Sequence, residues 1–149
     1  MKDTKPTEKK FETHIEKYLN SINYKSIYYE KYDRNLCLIK EEILDFIKKT
    51  QKNSWKKLQE IYQEDIENKV LNRISSEISR RGIIDVMRNQ VSDRGVHLDL
   101  CYFEPKSDLN FEHLNLFKLN QFSLVRQLHY STKNENSIDM GLFLNGIPI

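Results

Sequence analysis

Asp139 is the residue whose type and place could do chemistry. It stands in Ser137-Ile138-Asp139-Met140-Gly141-Leu142-Phe143-Leu144. There Ile138, Met140, Leu142 and Leu144 alternate with Asp139, Gly141 and Phe143, the period-2 pattern of a strand. Asn145-Gly146 follows, then apolar Ile147-Pro148-Ile149, which reads as a hairpin turn and a returning strand. A carboxylate on such a strand is either a half-exposed edge residue or a ligand held for metal chemistry, since buried aspartates are rare. Glu12 and Glu16 form a second acidic pair, one helical turn apart and so on one side of a helix. Taken alone, they read as a solvated flank that pairs with nearby lysines. The basic residues gather as Lys9-Lys10, Lys48-Lys49, Lys56-Lys57 and Arg80-Arg81, with Arg88 and Arg94 further on. Helical lysine pairs are mostly solvated faces, whereas the arginines from 80 to 94 surround glycine-bounded turns and could touch phosphates.

Other chemistries lack their residues. No G-x-x-x-x-G-K-[ST], G-x-G-x-x-G or G-x-S-x-G occurs, so ATP-binding, dinucleotide and nucleophile-elbow motifs are absent from this stretch. His14, His97, His113 and His129 are scattered, none at zinc-ligand spacing. Cys37 and Cys101 are far apart in hydrophobic settings and read as reduced core residues. No apolar run reaches the length of a membrane span, and the polar, lysine-rich start is no signal peptide, so the expected location is cytoplasmic. A net charge of +2 in 149 residues is too balanced to decide for or against nucleic acid.

The elements that must position these side chains change period at mid-chain. Residues 1–6 read as a disordered tail, 7–82 as mainly helical and 83–149 as mainly strands, all in one domain. Thr7 is expected to cap a first helix, with Phe11, Ile15, Tyr18, Leu19 and Ile22 on its apolar face. A tyrosine-rich, strand-like connection spans Asn23 to Tyr32. Asp33 and Ser54 are expected caps of the next helices. A further helical face, Ile66, Val70, Ile74 and Ile78, ends at Gly82 as an αL cap. Alternation predicts a strand from Val96 to Phe103. A second runs from Phe122 to Tyr130, with Leu124, Arg126, Leu128 and Tyr130 on one face. The Asp139 strand is the third. Helices followed by strands predict an α/β or α+β layer fold, with helices packed on a mainly antiparallel sheet.

The order of these features resembles the N-terminal nuclease domain of the R (restriction) subunit of type I restriction enzymes. The residues that carry the resemblance are Phe11-Glu12-x-x-Ile15-Glu16-x-x-Leu19, Phe46-Ile47-x-x-Thr50-Gln51-x-x-x-Trp55, and Arg81-Gly82 with Asp85-Val86-Met87-Arg88. They continue with Gly95 and the strand to Tyr102-Phe103-x-Pro105, Asn120 with Arg126-Gln127-Leu128-x-Tyr130, and Ile138-Asp139 through Phe143-Leu144-Asn145-Gly146-Ile147-Pro148. Together they cover Phe11 to Ile149.

The resemblance implies an incomplete PD-(D/E)xK core in an α/β fold. Asp139 would be its first acid, catalytic and metal-binding, and the Glu-x-Lys would lie past Ile149. Glu16 matches a position that assists metal binding or shapes the site, and Glu12 is the weaker candidate. From the local basic cluster, and not from the resemblance, Arg80, Arg81 and Arg88 are the expected DNA-binding residues. The implied cofactor is Mg²⁺, with ATP used only by motor domains outside this stretch. The implied partners are double-stranded DNA and the modification and specificity subunits of the complex. The intact subunit would cleave unmodified foreign DNA, while these 149 residues alone would be inactive. The alternative is a non-catalytic DNA-binding or subunit-docking module. To bring the second acid beside Asp139, the hairpin is expected to pair Phe143 with Ile147 through a three-residue bulged loop.

Overall fold

The computed structural model describes residues 7–149, so the tail expected over 1–6 lies outside the described residues. Helix α1 (Glu8–Ser21) leads to strand β1 (Lys25–Ile27) and a short ribbon, β2 (Tyr32–Asp33) and β3 (Leu38–Ile39). Four helices follow: α2 (Lys40–Thr50), α3 (Lys52–Tyr62), α4 (Ile66–Arg81) and α5 (Ile83–Asn89). A second ribbon, β4 (Val91–Asp93) and β5 (Val96–Leu98), precedes α6 (Phe111–Lys118). The chain closes with β6 (Phe122–His129), β7 (Ser137–Leu144) and β8 (Ile147–Pro148).

The fold is α/β, and its main sheet is mixed. Strand order is β1-β6-β7-β8, with β1 parallel to β6 and the other neighbours antiparallel. The helical first half therefore contributes an edge strand, and the second half contains α5 and α6. The division at residue 82 is one of emphasis only. The strand expected from Val96 to Phe103 ends at Leu98, and its partner is Val91–Asp93, for which no strand was expected.

The larger core fills the space between α2 to α5, the β4–β5 ribbon and the end of the sheet. Ile43, Ile47, Leu58, Val70, Ile74, Val86, Leu98 and Ile147 are all essentially sealed from water there. Burying a Leu or Ile side chain contributes about 1.5–3 kcal/mol, so this cluster supplies most of the cohesion. A smaller cluster joins Ile39, Val125, Leu128 and Phe143 on the sheet.

Val125 and Leu128 share that cluster although they are three residues apart, which plain alternation forbids. Gln127 between them has φ of 52°, and this left-handed residue resets the side-chain phase of β6. The expected face of Leu124, Arg126, Leu128 and Tyr130 is thereby broken.

Helix α1 also departs from expectation. Its only buried residue is Glu12, while Phe11, Tyr18 and Ile22 are exposed. The helix docks on the sheet through the carboxylates of Glu12 and Glu16, while the expected apolar stripe is only half-covered at Ile15 and Leu19 and open at its other positions. Thr7 occupies the cap position without a side-chain bond. Asp33 turns the chain by accepting the Asn35 and Leu36 amides and is no helix cap. Ser54 lies inside α3. Gly82 has φ 87° and ψ 156°, outside the αL region, and links α4 to α5 with no further residue between them. Cys101 is buried as expected, but Cys37 is exposed.

The β7–β8 turn corrects the register. Leu144 pairs directly with Ile147, and Phe143 with Pro148. Asn145 and Gly146 both have positive φ, 50° and 83°, as a two-residue hairpin turn requires. The bulged pairing of Phe143 with Ile147 does not occur. The turn is fixed from outside: the Asn145 amide donates to Leu100 O and Asn120 Oδ1, and Asn145 Oδ1 accepts the Gln121 N–H at 2.7 Å. A Cβ on Gly146 would lie 2.5 Å from the Ile39 carbonyl, so packing against the β3–α2 junction dictates this tight turn.

Candidate metal centre

Strand β7 delivers Asp139 to the far end of the sheet from the turn, where α1 crosses. Its neighbour on β6 is Gln127, flanked by the Arg126–Met140 and Leu128–Ile138 pairs. The ladder is interrupted at this one position, where Gln127 adopts its left-handed conformation. Such a conformation costs a non-glycine residue about 1 kcal/mol or more.

Carboxylate oxygens of Glu8, Glu12 and Asp139 lie within 4.8 Å of one another. Glu8 and Asp139 are exposed and Glu12 is 9% exposed. Glu12 is held from one side. Arg126 Nη2 donates to its Oε2 at 2.8 Å, and Gln127 Nε2 approaches the same oxygen at 3.5 Å. Among the described residues Oε1 has no hydrogen-bond partner. Arg126 thus orients a mostly buried carboxylate and leaves its second oxygen for another ligand.

Glu16 is not part of the trio. Its Oε2 accepts from Arg126 Nη1 at 3.1 Å, and its Oε1 accepts from Ser26 Oγ at 2.7 Å. Glu12 first, then Glu16, holds the Arg126 guanidinium above its ordinary pKa. Of the two glutamates in the resemblance, the one ranked second meets Asp139 and the one ranked first anchors α1. Glu8 escaped the reading, although the spacing Glu8, Glu12, Glu16 would have placed it on the same helical face.

Two of the trio, Glu8 and Glu12, line a cleft of about 680 Å³ together with Glu16, Tyr28, Arg126 and Gln127, among others. Its donors are hard oxygens, the ligand type of Mg²⁺ and Ca²⁺. Opposite ligands in such shells are about 4–5 Å apart, so the trio could hold a divalent ion after small side-chain adjustments.

The expected phosphate-binding arginines fare differently. Glu77, with its side chain 4% exposed, receives Arg80 at 2.9 Å and Arg81 at 3.1 Å. Arg81 also reaches Asp85 at 2.6 Å. The Arg80 and then the Arg81 hydrogen bonds pull the Glu77 carboxyl down to about 2. Arg80 and Arg81 are therefore engaged within the fold, and of the expected three only Arg88 is exposed without an ion pair among the described residues.

No family profile, no curated protein and no solved structure matches this chain. No helix among the described residues is long and apolar enough to cross a membrane.

Proposed function

We propose that this chain belongs to a Mg²⁺-dependent DNA endonuclease, as the nuclease portion of a type I restriction R subunit with a PD-(D/E)xK-like core. The observation that carries the reading is the convergence of Asp139 with Glu12 and Glu8 at the end of an α/β sheet. Asp139 is the acid singled out by the motif from Ile138 to Pro148, and the fold gives it carboxylate company. One departure from the resemblance matters. The unbulged turn leaves the second acid to α1 and not to the return strand.

In this site Asp139 and Glu12 Oε1 would be the inner ligands and Glu8 an outer one. Arg126 orients Glu12, and Gln127 lies across from Asp139. A divalent cation bound there supplies polarisation of the phosphodiester and a lower pKa for the attacking water. By the resemblance, ATP-driven translocation and the modification and specificity subunits belong to the intact complex.

The direct Leu144–Ile147 pairing also favours the second reading, a non-catalytic DNA-binding or docking module. Manganese titration followed by electron paramagnetic resonance decides between them. The endonuclease reading expects one Mn²⁺ per chain, lost in Asp139→Asn and in Glu12→Gln. A chain that takes up no Mn²⁺ at millimolar concentration refutes it and leaves the module.

A further inference from the structure

A basic cleft opens where the end of α3, the first half of α4 and the β4–β5 turn meet. It is lined by Tyr62, Lys69, Asn72, Arg73, Asp93 and Arg94 and has a volume of about 580 Å³. We infer that this cleft binds the phosphate backbone of a nucleic acid.

The cleft is built around one ring. Asp93, 5% exposed, accepts the Tyr62 hydroxyl through its two oxygens at 2.7 and 2.8 Å. The ring is thus pinned, and two cations stand over it. Lys69 Nζ is 5.2 Å and Arg94 Cζ 5.4 Å from its centroid, within the range of cation–π attraction.

Neither Lys69 nor Arg94 forms an ion pair among the described residues. The acid at the cleft, Asp93, turns its oxygens to Tyr62. Arg94 is presented rigidly. It has φ of 52° in the two-residue turn before Gly95, and three ladder pairs of the ribbon fix that turn. Arg73 adds a third cation, braced by its Nε–H bond to Ser92 O at 3.0 Å and by Glu77 at 3.5 Å.

Lys69 and Arg94, held in place without carboxylate partners among the described residues, are a site for anions, and Arg73, paired with Glu77 only at 3.5 Å, adds to it. Lys69 and Arg73 lie one turn apart on α4 and Arg94 stands across from them in the β4–β5 turn, and the three line an open cleft, which suits successive phosphates passing across it better than one enclosed small anion. Arg80 and Arg81 lack this property, because Glu77 and Asp85 already neutralise them. The identity of the polyanion as DNA rests on the proposed function, but the cleft's binding does not require the metal centre.

The test uses the 149-residue chain and a fluorescein-labelled duplex of about 20 base pairs. Anisotropy is read in EDTA at several salt concentrations, where no cleavage can occur. Each phosphate contact adds about 0.9 to the slope of log K against log salt. Lys69→Ala/Arg94→Ala should therefore lower the slope by about 1.8 and weaken binding about tenfold or more at low salt. Lys106→Ala/Lys118→Ala, with the same charge loss on exposed sites elsewhere, should keep the wild-type slope.

An unchanged slope in Lys69→Ala/Arg94→Ala, or no duplex binding by the wild type, overturns the inference. Stronger competition by a phosphorylated peptide than by unlabelled duplex overturns it in favour of a protein partner. A wild-type chain that binds duplex through this cleft but takes up no Mn²⁺ in the parallel titration overturns the endonuclease reading alone.

Discussion

Replacing Asp139 by asparagine should reverse its effect on stability with and without magnesium. Without metal, the Asp139 carboxylate lies within 4.8 Å of two others. Each like-charge pair at that distance costs about 0.9 kcal/mol in water, less once salt screens it. Removing the Asp139 charge therefore relieves about 1 kcal/mol after screening. A domain of this size shifts in Tm by about 2–4 °C per kcal/mol. Metal-free Asp139→Asn should melt with the wild type or a few degrees above it. With about 10 mM Mg²⁺ and a site of about 1 mM affinity, wild type gains RT ln 11, about 1.4 kcal/mol, or about 3–6 °C. The variant should gain almost nothing, so the order of the two proteins inverts. The assay is scanning calorimetry at pH 7 and low salt, in EDTA and in magnesium. An equal magnesium-induced rise in both proteins would refute the site. So would a metal-free variant more than about 1 kcal/mol less stable than wild type, because Asp139 would then be a structural residue.

Three further outcomes follow from the packing and the shifted pKa values. Gly146→Ala places a Cβ 2.5 Å from the Ile39 carbonyl and 2.8 Å from Ile43 Cγ1. It should cost about 3 kcal/mol or more from overpacking and backbone strain together, seen as a Tm drop of about 6 °C or greater; a loss below 1 kcal/mol would contradict the turn geometry. Burial raises the Glu42 carboxyl above its usual range, only partly opposed by its Ser123 hydrogen bond, so its stabilising contribution is present below the unfolded-state pKa and lost as pH rises through the folded one. Glu42→Gln should therefore gain stability relative to wild type between pH 4 and 7 in urea titrations, and a constant difference across that window would sink the argument. Burial pushes the Cys101 thiol up to about 11, so a thiol reagent at pH 7 should label one equivalent of exposed Cys37 quickly and Cys101 only after unfolding; two fast equivalents would show the interior open.

The parts of the fold that could be read from the chain are those where local pattern and packing agree. Strand Ser137–Leu144 and its Asn145-Gly146 turn stood out because alternation and turn chemistry point the same way. The turn type did not, because a bulged and an unbulged loop satisfy the same four residues. The deciding contacts, Asn145 to Leu100 and Gly146 against Ile39, come from distant segments. Helix α1 misled for a related reason. Its spacing of Phe11, Ile15, Tyr18 and Ile22 is amphipathic, yet one long-range residue, Arg126, turns the carboxylate side inward. The same event made Glu12 a better candidate than Glu16. Arg80 and Arg81 looked available for phosphate because their acid, Glu77, lies one turn earlier on the same helix and reads as ordinary surface. Several residues of the resemblance, among them Gln51, Asn120 and Asn145, prove to be hydrogen-bonding clamps between segments.

The polar attachment of α1 makes ionic strength a control on the candidate metal centre. Two of its three acids ride on a helix that buries one glutamate and is fastened to the sheet by Arg126 through two ion pairs. Salt weakens such pairs while leaving the apolar core intact, so α1 belongs to the part of the molecule that opens first. Undocking the helix separates Glu8 and Glu12 from Asp139, and an ion bridging them would pull the helix back. Cation affinity and helix docking would then be one linked equilibrium. Such a centre would act as a clasp whose closure is written in the salt concentration as much as in the metal concentration.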